Sequence, residues 1–223
     1  AFLPWQYLIT FLAPDFFGNH ATGNFWGEGD YTLVTGFSGI VVIILAGVGF
    51  LNEKKNKQNS SLNKAVIFGL SLIILALLIA LPNPITLWLK MSGFLGLQAA
   101  SAHRALVLLN LGLAILAAFG LDALVLQKAK RQNTIRAFYL PAILLFSFAL
   151  GTFLSLYWLK GQLTSSLIEK EIVNLSVGLK NLLLPIALFI ISSGLIWGNL
   201  YFKKFSKVFI ICLILLELFD LFR

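Results

Sequence analysis

The stretch AVIFGLSLIILALLIAL (residues 65–81) decides the fold of this 223-residue chain. Twelve of its residues are Leu, Ile, Val or Phe, and none is charged. Each of these apolar residues contributes roughly −0.3 to −0.6 kcal/mol at the middle of a bilayer, so insertion is favourable by roughly 4 to 7 kcal/mol. The stretch is apolar on all sides, which separates it from an amphipathic surface helix. We therefore predict a transmembrane helix here.

Five further segments share this character on either side of that stretch. They predict spans at about 34–51, 105–126, 137–159, 181–202 and 208–222. The whole chain is 59% hydrophobic and 12% charged, whereas soluble domains are roughly 45 to 50% apolar and about 25% charged. The sequence therefore excludes a soluble globular domain. It predicts an all-α integral membrane protein with about six transmembrane helices in a single domain, residues 1–223.

The Lys and Arg residues give the orientation of the spans. The chain has 17 Lys and Arg against 9 Asp and Glu, and short cytoplasmic loops collect cations. Eleven cations occupy three alternate loops, which are Lys54, Lys55, Lys57 and Lys64 in 52–64, Lys128, Lys130, Arg131 and Arg136 in 127–136, and Lys203, Lys204 and Lys207 in 203–207. We expect these loops to be cytoplasmic and the segments 1–33, 82–104 and 160–180 to be outside. The net charge is then an orientation signal, and we expect no nucleic-acid partner.

The first outer segment holds four candidate binding residues among aromatic residues and glycines. These residues are Asp15, His20, Glu28 and Asp30. Glycines allow close backbone approach, aromatic rings stack on sugars, and carboxylates accept hydrogen bonds from hydroxyl groups. The alternative is an interfacial loop that its Phe and Trp residues anchor to the membrane. The four side chains are ligand types for a divalent cation, but their spacing matches no metal motif, so we assign no metal or cofactor.

The other two outer segments predict interfacial or re-entrant helices. In 82–104, Arg104 lies at the outer mouth of a span, where a guanidinium can bind a phosphate through two hydrogen bonds or extend to ordinary headgroups. Its neighbour His103 is a candidate proton carrier or a hydrogen-bonded anchor. In 160–180, apolar residues recur at helical spacing, which predicts a helix lying on the outer surface.

The sixth span carries two carboxylates near its outer end. Glu217 and Asp220 are three residues apart and therefore lie on one helix face. They either line an outer cavity, where they would bind substrate, or mark the point at which the span leaves the membrane. The one cysteine, Cys212, excludes an internal disulfide.

Several blocks of the sequence, in order along nearly the whole chain, resemble YfhO-family bacterial membrane proteins. The blocks are LITFLAPDFFGN (8–19), GNFWG (23–27), Tyr31, GFSGI (36–40), AHRA (102–105), AFGLD (118–122) and ELFDL (217–221). That family is similar to the GT-C class of integral-membrane glycosyltransferases, so the resemblance implies a larger GT-C-like bundle in a bacterial plasma membrane.

The resemblance also implies an activity. A sugar would move from a polyprenyl-phosphate carrier to a cell-envelope glycopolymer such as lipoteichoic acid, on the outer face. In that class the catalytic carboxylate usually lies in the first outer loop, and we expect this chain to begin after that loop. We therefore assign no catalytic residue. A transporter or flippase segment, which also uses broken helices, and a non-catalytic membrane scaffold remain alternatives.

Overall fold

The computed structural model describes residues 2–53, 60–93, 102–161 and 166–222. Within these ranges the chain forms α-helices and short 3₁₀ helices, with no β-strand, so the all-α prediction is confirmed for them. The α-helices are α1 (Tyr31–Val34), α2 (Ile40–Glu53), α3 (Ser60–Ala80), α4 (Pro84–Met91), α5 (Leu106–Val125), α6 (Arg131–Gly161), α7 (Ser166–Asn181), α8 (Leu183–Tyr201) and α9 (Ser206–Phe222). The 3₁₀ helices are Trp5–Phe11, Ala102–Ala105 and Lys203–Phe205.

Three helical stretches are long and apolar enough to cross a membrane. They are Ala102–Val125, Arg131–Leu159 and Glu169–Tyr201, and they contain most of the spans predicted at 105–126, 137–159 and 181–202. The segments predicted at 34–51 and 65–81 form the shorter apolar helices Ile40–Asn52 and Lys64–Ala80. The last predicted span corresponds to α9, which has 17 residues. The structure thus supports a membrane protein through three helices of sufficient length and hydropathy.

Helix α5 lies between α2 and α3 and makes extensive contacts with both. A Cβ atom added to Gly120 of α5 would lie only 2.0 Å from the carbonyl oxygen of Leu45 in α2. On the α3 side, a Cβ added to Gly112 would lie 2.6 Å from the carbonyl oxygen of Gly69. Glycine is therefore required at both contacts, because the helix backbones approach each other closely, as they do in many membrane helix pairs.

Helix α6 forms a long antiparallel pair with α7 and α8. Helix α6 has 31 residues and is about 46 Å long, whereas α2 has only 14 residues. Near its start the Arg131 guanidinium lies 5.2 Å from the Trp197 ring centroid. Further along, the rings of Phe138 and Phe189 lie 6.3 Å apart. Beyond these contacts α6 packs against α7.

The segment 160–180, for which the sequence predicts a helix lying on the outer surface, contains α7. Its helix α7 packs along α6 and leads directly into α8 through one residue, Leu182. The Leu182 N–H donates to the Gly178 carbonyl at 3.1 Å, and the Ile186 N–H donates to the Leu182 carbonyl at 3.1 Å. Pro185 interrupts the ladder here because it has no N–H to donate. Residues 162–165 of this segment lie outside the described ranges.

The two ends of the helix bundle have different characters. At one end, which we call the basic end, the Lys130 N–H donates to the Asn52 side chain at 2.9 Å and Asn133 donates to the Leu51 carbonyl at 2.9 Å. These bonds bring the α2 and α6 termini together. The opposite end, which we call the loop end, carries residues 2–39. The chain therefore places parts of two predicted cytoplasmic loops side by side.

Candidate functional site

Residues 2–39 fold around an aromatic core of their own at the loop end. Ring centroids lie 4.4 Å apart for Tyr7 and Phe17, and 4.7 Å apart for Phe17 and Trp26. The Tyr7 hydroxyl donates to the Glu28 carbonyl at 2.9 Å and accepts from the Glu28 N–H. Burial raises the pKa of Tyr7 above its ordinary value. Tyr7 and Phe17 are buried, so their rings pack against protein.

Backbone and side-chain hydrogen bonds fasten this segment to several helices. The Leu3 N–H donates to the Ala80 carbonyl at the end of α3, at 2.8 Å. His103 donates from Nε2 to the Phe2 carbonyl at 2.9 Å. The Asn181 amide at the end of α7 donates to the Asp15 carbonyl. The segment is therefore held across the bundle, which fixes the polar side chains that it carries.

A group of polar and aromatic side chains lies on the segment, and we call it the loop cluster. Its members are Asp15, Asn19, His20, Phe25 and Tyr31. Asp15 accepts from the Tyr31 hydroxyl at 2.7 Å and from the Asn19 amide at 3.0 Å. The His20 ring lies 4.7 Å from the Phe25 ring and 6.0 Å from the Tyr31 ring. A carboxylate and amide beside partly exposed rings are the groups that bind sugar hydroxyls and stack on a sugar face.

The predicted residues Glu28 and Asp30 are exposed, and Asp30 directly precedes Tyr31 of the loop cluster. Asp30 caps α1 by accepting from the Thr32 N–H at 2.9 Å and the Thr32 hydroxyl at 2.8 Å. These hydrogen bonds hold the pKa of Asp30 below its ordinary value, with a smaller lowering from His20. In the ranges that the structure describes, no three His, Cys, Asp or Glu side chains are placed to hold a metal ion.

Arg104 and His103 lie in the 3₁₀ helix Ala102–Ala105, which contacts both α1 and α3. Arg104 is exposed, whereas His103 is only 7% exposed and bonds to the Phe2 backbone. Because α1 begins at Tyr31 of the loop cluster, Arg104 and the cluster occupy the same end of the bundle. His103 thus holds the N-terminal segment in place, and Arg104 is available to bind an anion. The preceding residues 94–101 lie outside the described ranges.

Glu217 and Asp220 face the N-terminus of α2. Asp220 is 2% exposed and accepts from the Ile40 N–H at 3.0 Å. The backbone amides of Val41 and Val42, in the first turn of α2, lie close to the Glu217 carboxylate. Carboxylates are favourable at this position because the first amides of a helix have no partner within it and its N-terminus is partially positive.

The same two carboxylates therefore have a structural role that the sequence does not reveal. Glu217 borders an apolar groove of about 280 Å³ between α2, α5 and α9. The sequence signal for this arrangement is an absence. The first turn of α2 has no acidic residue of its own, so a carboxylate that stabilises its N-terminus must come from elsewhere in the chain.

Three residues of the loop cluster, Asn19, Phe25 and Tyr31, were not among the predicted site residues. Asn19 follows Gly18, a pair typical of turns, and all three residues stand in the blocks that resemble the YfhO family. The bond between Tyr31 and Asp15 joins positions 16 residues apart. No local pattern reports such a contact, because it depends on how the whole segment folds back on itself.

Comparison with known proteins adds no further constraint on the chain. No protein-family model, curated protein or solved structure matches it. Membership of the YfhO family therefore stays a prediction from the sequence blocks given above.

Proposed function

We propose that this chain belongs to a YfhO-family, GT-C-like glycosyltransferase of a bacterial plasma membrane. It would transfer a sugar from a polyprenyl-phosphate donor to a cell-envelope polymer such as lipoteichoic acid. The observation that carries the proposal is the position of the loop cluster. Its hydrogen-bonding groups and rings lie at the same end of the bundle as the exposed Arg104, and that end is opposite the basic loops.

In this proposal six helices cross the bilayer, namely α2, α3, α5, α6, α8 and α9, within a larger GT-C-like bundle. The basic loops 52–64, 127–136 and 203–207 face the cytoplasm, because cations collect on that side. The loop cluster then faces outward, where the acceptor polymer lies. Three of the six helical regions meet the length and hydropathy of a membrane span by themselves, and the shorter ones would be accommodated by packing against them.

The chemistry proposed for the loop end is a displacement at the anomeric carbon of the donor sugar. Arg104 would bind the departing lipid phosphate through charge-assisted hydrogen bonds, which are stronger than neutral ones. The loop cluster would bind hydroxyls of the sugar or acceptor, with Asp15 held in place by Tyr31 and Asn19. The general base that accepts the acceptor proton is not assigned to a residue of this chain.

Replacing Arg104 tests this proposal in the natural full-length protein. A hydrogen bond to a charged group is worth about 1.5 to 3 kcal/mol, so Arg104→Ala should reduce sugar transfer roughly 10- to 150-fold. Arg104→Lys should retain part of the activity, because it keeps the charge but loses the planar two-point contact. Transfer is measured in isolated membranes with a labelled polyprenyl-phosphate sugar.

The matched control is Arg136→Ala, which removes an exposed cation at the basic end. It should leave transfer unchanged. Protein abundance in the membrane, measured by immunoblot, separates loss of activity from loss of insertion. Unchanged transfer by normally inserted Arg104→Ala would contradict the role of Arg104.

A further inference from the structure

The basic end gathers exposed cations from segments that are distant in sequence. Those among the described residues are Lys64, Lys128, Lys130, Arg131, Arg136, Lys203, Lys204 and Lys207. Neither 127–136 nor 203–207 contains an acidic residue. The hydrogen bond between Lys130 and Asn52 and the contact of Arg131 with α8 bring these segments together. These exposed cations outweigh the exposed carboxylate of Asp122 in the last turn of α5, so the surface is net positive and suits an anionic partner.

One cation on this surface is held in a defined geometry. The Arg131 guanidinium lies 5.2 Å from the Trp197 ring centroid and 5.3 Å from the Tyr201 ring centroid. These rings themselves lie 5.4 Å apart. Attraction between the guanidinium charge and the two rings holds the side chain beside α8, and its N–H groups are the donors that can bind a phosphate through two hydrogen bonds. Because the rings already restrict the side chain, less conformational entropy is lost on binding.

Exposed aromatic residues beside the cations identify the kind of anion. Phe202 and Phe205 flank Lys203 and Lys204, and they are 61% and 53% exposed. Trp197 and Tyr201 precede them on α8. Aromatic side chains next to Lys and Arg at the end of an apolar helix are typical of the headgroup level of a bilayer, where the rings meet acyl chains and the cations meet phosphates. A soluble anion such as free phosphate would gain nothing from these rings.

We propose that the basic end carries a binding site for the headgroup of an anionic phospholipid, centred on Arg131. The guanidinium binds the lipid phosphate through two hydrogen bonds, and nearby lysines add attraction that is not specific in geometry. Phe202 and Phe205 contact the upper part of the acyl chains. This site is independent of the proposed sugar transfer, because it lies at the other end of the bundle and uses different residues.

Thermal unfolding of the purified full chain in detergent micelles tests the site. Phosphatidylglycerol should raise the Tm more than phosphatidylcholine does, because binding to the folded state alone stabilises it. Arg131→Gln should weaken the apparent affinity for phosphatidylglycerol roughly tenfold or more. Arg136→Gln, which removes an exposed cation from the same segment, should retain the wild-type affinity. Native mass spectrometry that counts retained phosphatidylglycerol molecules gives a second measurement.

Several results would overturn this proposal. One is equal stabilisation of the wild type by phosphatidylglycerol and phosphatidylcholine. A second is an equal loss of affinity in the two Arg variants, which would indicate diffuse charge attraction without a site. A third is the same Tm gain from inorganic phosphate alone, which would exclude the lipid as the ligand. If Arg131→Gln fails to fold, Arg131→Lys replaces it, and wild-type affinity in that variant would likewise contradict two-point binding.

Discussion

At the residue scale, Gly39 shows how one position connects the N-terminal segment, residues 2–39, to α9. Its φ angle of +93° lies in the left-handed region that favours glycine. A Cβ atom added there would lie 1.7 Å from Oε1 of Glu217. The same turn starts α2, whose first amide bonds to Asp220. Gly39 therefore leaves room for the Glu217 carboxylate beside the N-terminus of α2, which Asp220 caps.

Replacing Gly39 should separate these two helices. Gly39→Ala adds a backbone penalty of about 1 to 2 kcal/mol for the left-handed conformation, and it also displaces the Glu217 carboxylate. Gly29→Ala is the matched control, because Gly29 has a φ of +82° and open space around its Cβ position. We expect Gly39→Ala to lower the Tm of the purified protein clearly more than Gly29→Ala. Equal Tm values for the two variants would show that the contact with Glu217 contributes nothing.

The sequence predicts candidate site residues more readily than it predicts which residues they contact. The spacing of Glu217 and Asp220 placed both on one face of a helix, and the structure shows both facing α2. The partner of Asp220, Ile40, lies 180 positions away in sequence, and no local pattern contains that information. In the same way, Asp15 was a predicted binding residue, but its contact with Tyr31 was not predicted.

At the element scale, hydropathy located the helices but not their packing. Long apolar runs predicted the regions of α5, α6 and α8, because burial in lipid requires each such run to satisfy its own backbone groups as a helix. The pairing of α7 with α6 was not predictable in this way. Uniformly apolar helices can pack against many partner helices. Which partner a helix packs against depends on how well the two helix surfaces fit in shape. In α2, α3 and α5 that shape is set by glycines.

Replacing the glycine at the contact between α2 and α5 by a larger residue should disrupt the bundle. A Cβ on Gly120 would lie 2.0 Å from the Leu45 carbonyl oxygen, so Gly120→Val must push the two helices apart. Overpacking of this kind costs typically about 1 to 3 kcal/mol, and sometimes more. The matched control is Gly151→Val in α6, where nothing lies within 4 Å of the added Cβ.

The measurement is thermal unfolding of both variants in the same detergent. Gly120→Val should show a markedly lower Tm than the wild type, while Gly151→Val should remain close to it. A wild-type Tm for Gly120→Val would mean that α2 and α5 do not approach as closely as the structure shows.

At the scale of the whole molecule, the two ends of the bundle present different kinds of side chain. The loop end presents the loop cluster and Arg104. The basic end presents cations and aromatic residues. The sequence predicted this division from the distribution of Lys and Arg along the chain, and the structure brings Lys130, Arg131 and the end of α8 together accordingly. It could not predict which polar residues of the first segment would meet, because that depends on the aromatic core around Phe17.

The proposed function requires the two ends of the bundle to lie on opposite sides of a membrane. Cysteine labelling in intact cells measures this directly. In a Cys212→Ser background, Thr22→Cys introduces a thiol at an exposed position of the loop end, and Lys204→Cys introduces one at an exposed position of the basic end. A membrane-impermeant maleimide should label the Thr22→Cys protein in intact cells. It should label the Lys204→Cys protein only after the membrane is permeabilised. Labelling of both proteins from the same side would contradict the transmembrane arrangement and the outward-facing site that depends on it.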